Sequence, residues 1–524
     1  MTDETTQWLQ HTLQREPFCH IKKTASGFTV SGYASHTLGH KVTAQGARPK
    51  EGVFGQWHWD GKTLHAHVDE CGFYPLYYYV TETECAVSPS IPALLLLGAP
   101  AQLDHKALAV FLRLGWFLGS DTPFALVRAF QPGGTLRWTA GQIEVTSELP
   151  QARESHLSRT QGIDGYIDLF RASLQRRLPD TDNFTVLLTG GRDSRHQLFE
   201  LTRAGHKPQT AYSIGEYIVA SNEEMAAASA IAKAVGVNHV IVNQTESPFV
   251  IERKNNFFTN FCADEHSWLW VLADRLRGKY QIIYDGLGGS IFDRGFLLTG
   301  DRLALCDAGR FEELAVDLFS REDVLPVFSS SIRDHCSRDL AIAHLTQELQ
   351  LYRNDPNPID SFLFWTRTRR ESALSSYRVL DSAHRVICPF IDLELVNHLA
   401  SLPGSMMLDH NFHDETIHRA FPQYAHIPFG PKGGPLRMPY PKARQLTWEF
   451  LKYMFSMPPG PSINYGHLLP RMGRCLVDPS YSPAISWMGL TALYMHQLDH
   501  LPEQMAHVRS GELPLPPQDL RHSA

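Results

Sequence analysis

The chain has 524 residues, of which 43% are hydrophobic and 20% are charged, a composition typical of a soluble, folded protein. Its formal net charge of −7 argues against a general nucleic-acid-binding protein, which needs a basic surface to displace the counterions of phosphate groups. The eight cysteines form no C-x-x-C pair, and neither the polar start of the chain nor the short apolar run Ala93–Leu97 indicates a signal peptide or a membrane span. We therefore expect a cytoplasmic protein of two domains, without nucleic-acid or membrane partners.

Residues 1–155 are predicted to form an α+β domain of antiparallel strands. The runs Gly52–Trp59 and Thr63–Val68 alternate polar and apolar residues, and the Asp60-Gly61 pair between them is typical of a hairpin turn. Other predicted elements are strands at Leu76–Val80 and Glu84–Val87 and a helix over Asp104–Leu118 with Asp104 as its N-cap.

From residue 160 to 515 the pattern changes to alternating helices and strands, which predicts an α/β domain with a parallel sheet. After about Asp307 it becomes mostly helical, and residues 516–524 are predicted to be a tail. The predicted strands are Phe184–Leu188, Gln209–Ile214, Asn238–Val242 and Gln281–Tyr284; the predicted helices are one through Tyr166 and Leu174, one over Ser194–Ala204 and one that begins at a Ser221/Glu224 capping box and ends at Val235.

The segment TGGRDS, residues 189–194, carries the strongest chemical signal. It lies between a predicted buried strand and a helix start, where glycines let backbone amides curl around a phosphate and the helix adds its partial positive charge. Asp193 could hold magnesium on the same phosphates, and the hydroxyls of Thr189 and Ser194 could donate to them. The alternative is a glycine-rich turn with a capping aspartate.

This segment resembles the pyrophosphate loop of the ATP-pyrophosphatase (PP-loop, HUP-like) superfamily, which cleaves ATP between its α and β phosphates. Three later stretches, in matching order, are similar to the asparagine synthetase family within that superfamily. They are YDGLGGS at 284–290, RVICPFID at 385–392 and IPFGPKGG at 427–434.

The resemblance implies roles for individual residues. Asp193 is the expected magnesium ligand, and Lys432 is expected to stabilise the charge that builds on the α-phosphate in the transition state. Asp285 is either a general base near the acceptor amine or a turn aspartate. The remaining predicted ATP-binding residues are Thr189, Gly190, Gly191, Ser194, Ser213 and Gly286.

Two positions depart from the family pattern. The second magnesium aspartate of the family falls on Gly288 or Ser290, which leaves Asp285 or Asp293 as substitutes. Arg192 occupies a position where an apolar residue is common, and we expect it to face either the phosphates or solvent.

The N-terminal region resembles the later half of the same family's N-terminal-nucleophile (Ntn) glutaminase domain. The matching stretches are Gly52–Phe54, Trp59-Asp60, Asp69–Gly72 and Pro75–Tyr79. That glutaminase requires a cysteine directly after Met1, but residue 2 is Thr, and Cys19, Cys71 and Cys85 are internal. We therefore expect a degenerate domain that does not hydrolyse glutamine.

A retained adenylating domain beside a degenerate glutaminase domain resembles β-lactam synthetases and lasso-peptide cyclases. It implies an ATP-dependent ligase that adenylates a small-molecule or peptide carboxylate and releases pyrophosphate, after which an amine acceptor displaces AMP. Ring closure is the first expectation. The alternatives are an intermolecular amide ligase of natural-product or polysaccharide biosynthesis and a non-catalytic nucleotide-binding regulator. A homodimer is possible.

Overall fold

The computed structural model describes residues 4–139, 141–215, 222–289, 292, 295–380, 385–430 and 439–510. The N-terminal region contains ten strands: β1 Cys19–Thr24, β2 Gly27–Gly32, β3 Ser35–Lys41, β4 Gly52–Trp59, β5 Leu64–Val68, β6 Tyr77–Val80, β7 Glu84–Ser88, β8 Arg128–Ala129, β9 Thr135–Thr139 and β10 Gln142–Thr146. They form two antiparallel five-stranded sheets, in the orders β2-β1-β7-β6-β8 and β10-β9-β5-β4-β3. The prediction of antiparallel strands in this region is confirmed.

The two N-terminal sheets share one hydrophobic core. Apolar side chains of the first sheet, such as Ile21 and Val87, cluster with Trp57 and Trp138 of the second. The β4–β5 hairpin turns at Gly61, whose φ is +95°, and Asp60 accepts hydrogen bonds from the two amides that follow the turn. The Asp-Gly signal in the sequence therefore produced the predicted turn.

Three helices cover the N-terminal sheets: α1 Glu4–Arg15, α2 Ile91–Leu97 and α3 His105–Leu114. Asp104 caps α3 as predicted, because its side chain accepts from the Ala107 amide at 3.1 Å. The helix does not reach Leu118, however. Gly115 adopts the left-handed conformation, with φ of +102°, and ends the helix there.

The second half of the chain contains a parallel sheet of five strands: β11 Phe184–Leu187, β12 Thr210–Gly215, β13 Asn238–Asn243, β14 Ile282–Tyr284 and β15 Arg385–Ile387. Their order is β13-β12-β11-β14-β15, and each neighbouring pair is parallel. From β11 the chain adds β12 and β13 on one side, and then crosses over to add β14 and β15 on the other side, so the strand order reverses between β11 and β14. In open α/β sheets, ligands bind at the carboxyl ends of the strands at this position.

The sheet is surrounded by helices, as predicted for an α/β region with a helical extension. They are α4 Arg159–Gln175, α5 Asp193–Arg203, α6 Asn222–Val235, α7 Pro248–Phe258, α8 Leu269–Leu276, α9 Gly300–Asp307, α10 Phe311–Leu318, α11 Ser330–His335, α12 Arg338–Leu349, α13 Pro358–Leu363, α14 Leu393–Ala400, α15 Phe412–Ala420, α16 Tyr440–Ser456, α17 Tyr465–Cys475 and α18 Ser482–Ser510. The predicted cap Ser221 lies outside the described residues. In the described part of the chain, no helix is long and apolar enough to cross a bilayer.

The chain between α13 and β15 is wound as π-helix over Phe364–Ser372 and again over Ser375–Leu380. Segments of this kind are rare and occur frequently at functional sites. Here nearly every side chain of the two segments is buried.

A buried ionic network joins the N-terminal region to the helices around the parallel sheet. Asp392 accepts from Arg176 at 2.7 Å and Arg177 at 3.1 Å, and Arg48 approaches it at 3.4 Å. Glu51 binds Arg176 and Arg177 at 2.8 and 2.9 Å. The side chains of Glu51 and Asp392 are 0% and 1% exposed, so neither carboxylate reaches solvent, whereas Arg48 at 25% and Glu394 at 51% lie at the edge of the network.

Candidate functional site

A cavity of about 380 Å³ opens at the reversal point of the parallel sheet. The loop that follows β11 and the loop that follows β14 form its two sides, because these strands are neighbours in the sheet. Of the predicted site residues, the cavity is lined by Thr189, Gly191, Asp193, Ser194, Ser213, Asp285 and Gly286. Gly190 lies outside the lining, and Lys432, Ser290 and Asp293 fall outside the described residues.

The first loop is folded by its own side chains. Ser194 Oγ accepts from the Thr189 amide at 3.0 Å, and the two hydroxyl oxygens lie 3.2 Å apart. Thr189 Oγ1 in turn accepts from the Gly191 amide at 3.1 Å. The hydroxyls therefore hold the curl of the loop at the start of α5.

The two glycines of the loop have different environments. A Cβ on Gly190 would lie 2.6 Å from the Glu224 carbonyl oxygen, so this glycine lets α6 approach the loop. A Cβ on Gly191 would meet only Thr189 Oγ1, at 3.1 Å, and Gly191 faces the cavity. Only the second glycine leaves room on the cavity side.

Asp193 is held in place from two directions. Its carboxylate lies 3.6 Å from Nδ1 of the buried His413, whose other nitrogen is 3.1 Å from His196. A Cβ on Gly289 would lie 2.8 Å from Asp193 Cγ, so the second loop packs directly on this side chain. The Asp193 side chain remains 31% exposed, which leaves its carboxylate accessible from the cavity.

Arg192 corrects an expectation from the sequence. Its guanidinium does not face solvent: the side chain is 4% exposed and donates to both carboxylate oxygens of Asp414, at 2.6 and 2.8 Å, and the residue also lines the cavity. It also stacks on the Phe429 ring at 4.1 Å. The position tolerates arginine because α15 supplies the matching carboxylate, which a single sequence does not show.

Arg195 binds the start of the lysine-containing segment to the first loop. It donates to the carbonyl oxygens of Ile427 at 2.9 Å, Pro428 at 2.7 Å and Gly190 at 3.3 Å, and it stacks on Phe429 at 4.2 Å. The Gly430 amide donates to the Gly190 carbonyl at 2.7 Å. Burial lowers the pKa of Arg195 to about 10, and the charge of Arg192 adds to this effect.

The second loop has a conformation that disfavours side chains. Gly288 has φ of +90°, and a Cβ there would lie 2.6 Å from Ile391. An aspartate at 288 would therefore have a strained backbone and would require the Ile391 side chain to move. Asp285 accepts from Ser376 Oγ at 2.5 Å and is partly open to the cavity, while burial raises the pKa of its carboxyl group.

Ser213 lines the cavity at the end of β12, but its hydroxyl is engaged inside the protein. It donates to the Leu188 carbonyl at 2.5 Å and lies 2.6 Å from His239 Nε2. A direct phosphate contact by this hydroxyl would require it to leave those partners. Ser213 therefore contributes to the wall of the cavity.

Several cavity residues were not predicted from the sequence. His266 and Trp268 come from the loop before α8, and Thr368, Ser372 and Ser376 come from the π-helical segments. Behind His266 lies the buried Glu371. A run of charges inside otherwise apolar surroundings, such as TRTRRES at 366–372, is the signal that could have indicated them.

A second cavity, of about 810 Å³, borders the second π-helical segment. It is lined by residues of α1, β3 and α8 together with Tyr377 and Arg378 of the second π-helical segment. Ser375 and Ser376, which directly precede Tyr377 in the same segment, line the first cavity. One short segment therefore contributes to both cavities.

The cysteines of the N-terminal region do not offer a nucleophile. Cys19, Cys71 and Cys85 are buried, and burial raises the pKa of all three thiols, that of Cys19 to about 12. A thiol in such surroundings stays protonated and inaccessible.

Comparison with known proteins agrees with the resemblance of the N-terminal region. A family model described as "Glutamine amidotransferase domain" matches residues 34–148. No curated protein matches the chain. Together with the parallel sheet and its two loops, the matched domain supports an asparagine synthetase-like architecture, without indicating a subfamily.

Among solved structures, the chain is similar to the U34-tRNA thiolase NcsA from Methanococcus maripaludis, solved with its 4Fe-4S cluster. The two are 12% identical, with 53% of this chain and 85% of that chain covered and a TM-score of 0.20. A TM-score of this size does not establish a shared fold. The fold of the C-terminal region is instead given by its own strand order.

Proposed function

We propose that this protein is an ATP-dependent amide-bond-forming enzyme that adenylates a substrate carboxylate for attack by an amine. The first reaction joins the carboxylate to the α-phosphate and releases pyrophosphate. In the second, the amine nitrogen bonds to the carbonyl carbon and AMP leaves. Ring closure within one substrate is the form of the reaction that we favour, with an intermolecular ligase as the alternative.

One observation carries this proposal. The two loops that resemble the nucleotide-binding loops of the asparagine synthetase family follow neighbouring strands, and they meet on one cavity at the reversal point of the sheet. The packing of Gly286 and Gly289 against Asp193 shows that the loops are mutually fitted, because a side chain at either glycine would displace the aspartate. Sequence similarity alone did not require this contact.

The residues present fit MgATP. Asp193 offers a carboxylate that His413 orients, and Gly191 leaves the cavity side of the loop free for a phosphate. The start of α5 adds the partial positive charge of a helix N-terminus. Magnesium bound at Asp193 would neutralise charge on the phosphates, and apolar residues such as Leu187, Ile214 and Leu272 are available to pack on the adenine ring.

Lys432 keeps its proposed role in the transition state. The described chain reaches the first loop at Gly430, two positions before the lysine. Arg195 holds it there by donating to the carbonyl oxygens of Ile427 and Pro428 in this segment and of Gly190 in the loop. This anchoring supports the lysine as a fixed positive charge for the α-phosphate.

Glutamine hydrolysis is not part of the proposed reaction. The described cysteines of the matched N-terminal region are buried thiols with raised pKa values, so ammonia from glutamine has no evident source there. An amine other than ammonia would then be the acceptor.

ATP–pyrophosphate exchange with a panel of carboxylic acids, including amino acids, tests the proposal. We expect exchange with at least one acid, reduced at least a hundredfold by Asp193→Ala because the magnesium ligand is lost. Asp168→Ala, an exposed carboxylate on α4, is the matched control and should behave as wild type. Binding of MgATP without any exchange would favour the regulatory alternative and contradict the proposal.

A further inference from the structure

His266 presents one ring nitrogen to the cavity and the other to a buried carboxylate. Its Nδ1 lies 3.2 Å from Oε1 of Glu371, whose side chain is 1% exposed. The imidazole itself is 26% exposed and lines the cavity. Among the residues that the structure describes, no partner is found for His266 Nε2. This nitrogen therefore faces the space where a substrate would lie.

The loop that carries His266 is strained and strongly anchored. Three of its non-glycine residues, Asn260, Phe261 and His266, have positive φ, between 57° and 65°. Left-handed backbone is unfavourable for such residues and persists only where the surroundings impose it. Here Arg321 and Arg367 impose it through ion pairs with Asp264 and Glu265.

The charges around His266 come from three elements. Glu371 and Arg367 face it from the π-helical segment, Glu265 from its own loop and Asp285 from the second loop. Burial alone would lower the pKa of His266, but the Glu371 carboxylate outweighs it and raises that pKa above 6.5. Burial likewise opposes ionisation of Glu371, but His266 and Arg367 lower its pKa to about 2.

A metal ion does not explain this arrangement. Glu265, His266 and Glu371 have ligand atoms close enough together to share a cation. However, Arg367 pairs with Glu265 and lies 3.8 Å from Glu371, and Arg321 lies 3.4 Å from Glu265. The arginines already supply the positive charge that an ion would bring.

We infer that His266 is the general base that takes the proton from the acceptor amine, with Glu371 as the positioning residue that orients its ring. This role rests on the proposed function. As the nitrogen bonds to the carbonyl carbon, the carbon–oxygen bond to AMP breaks, and the ammonium proton passes to Nε2 and then to water. A base whose second nitrogen is held by a carboxylate has the arrangement that this proton transfer requires.

Comparison of the two half-reactions tests the base. With the acid that exchanges best, His266→Gln should retain ATP–pyrophosphate exchange within about threefold and lose AMP formation by about a hundredfold or more. Hydroxylamine is uncharged at neutral pH and needs no base, so adding it should restore AMP formation in the variant. Exchange and AMP formation that fall together, or that both stay unchanged, would overturn the role.

A second measurement needs neither the acid nor the amine. In histidine-labelled protein, the NMR resonance missing from His266→Gln identifies His266, and its titration should lie above 6.5 in wild type and fall in Glu371→Gln. Glu348→Gln removes another buried carboxylate, on α12, and should leave this titration unchanged. Glu371→Asp, which keeps the charge, serves if the glutamine variant does not fold.

The two measurements separate the possible failures. If wild type catalyses no exchange, the proposed function fails, while the titration still shows whether Glu371 tunes His266. A His266 titration that Glu371→Gln does not move would contradict the positioning role even if exchange is robust.

Discussion

Two ionic networks in this protein contain similar groups and differ in one respect. At the domain interface, Glu51 and Asp392 bind Arg48, Arg176 and Arg177, and neither carboxylate reaches solvent. At the cavity, Glu371 is equally buried and Arg367 is 15% exposed, but their network ends in a histidine nitrogen that faces open space.

This difference separates structural from chemical use of buried charge. A network whose buried carboxylates are all paired with arginines only holds its elements together, because each of these charges already has its partner. A network with one free nitrogen at a cavity wall can exchange a proton with a ligand, and the partners behind it set the pKa of that nitrogen. Burial alone does not distinguish the two.

The largest expected effect is at the closed network. Asp392→Ala removes one of the two buried carboxylates that Arg176 and Arg177 share and leaves them only Glu51, and we expect it to lower the free energy of unfolding by about 3–5 kcal/mol. Urea denaturation measures this loss. Glu394→Ala, which removes the 51% exposed member of the same network, should cost less than about 1 kcal/mol. Equal losses in the two variants would contradict the distinction between closed and exposed members.

Lys432 tests a charge that belongs to neither network. Lys432→Met should lower turnover by roughly a hundredfold, about 2.7 kcal/mol, and leave ATP affinity nearly unchanged, because the ammonium acts only as charge builds on the α-phosphate. Steady-state kinetics and nucleotide titration separate the two quantities. Lys442→Met, ten positions further along, is the control. Wild-type turnover in Lys432→Met would mean that residues 427–434 are not the lysine-containing loop of the asparagine synthetase family.

The smallest expected effect is a difference in pH dependence. The pKa of His266 is raised, so its contribution to stability is complete below pH 6.5 and is lost as pH rises through the folded value. Burial opposes ionisation of Asp392, but Arg177, Arg48 and Arg176 lower its pKa, so its contribution is complete above about pH 4 and is lost only in acid.

Thermal unfolding between pH 5.5 and 9 measures this difference. The destabilisation by Glu371→Gln should shrink as pH rises, because His266 loses its charge, while that by Asp392→Asn should stay constant. If the destabilisation by the two variants has the same pH dependence, His266 does not lose its charge in this range, and the cavity network behaves like the network at the interface.

Much of the fold followed from the sequence. The Asp-Gly hairpin, the cap at Asp104 and the alternation of strands and helices after residue 160 are local patterns, and the structure contains each of them. Strands β1 to β3, β8 to β10 and β15 were not predicted. Strands β2 and β3 carry no clear alternation of apolar residues, and β15 has only three residues. Pairing with neighbouring strands, rather than a local sequence pattern, therefore determines where these strands form.

The site was predictable only in part. Loops with a family-like pattern identified residues of the first and second loops, and six of the residues predicted there line one cavity together with Ser213 of β12. The environment of Arg192 depends on Asp414, 222 positions away, and the His266–Glu371 pair spans 105 positions. Contacts of this kind arise from tertiary packing and leave no spacing rule in a single sequence.

The π-helical winding has a consequence for how this site can change. Each residue advances an α-helix by about 100°, and a π-helical segment takes up an extra residue within its wider turns. If residues 364–372 returned to regular α winding with no residue removed, everything that follows would rotate by roughly that angle. Ser375 and Ser376 would then turn from the first cavity, and Tyr377 and Arg378 from the second. A change in winding, without any substitution, would re-line both cavities at once.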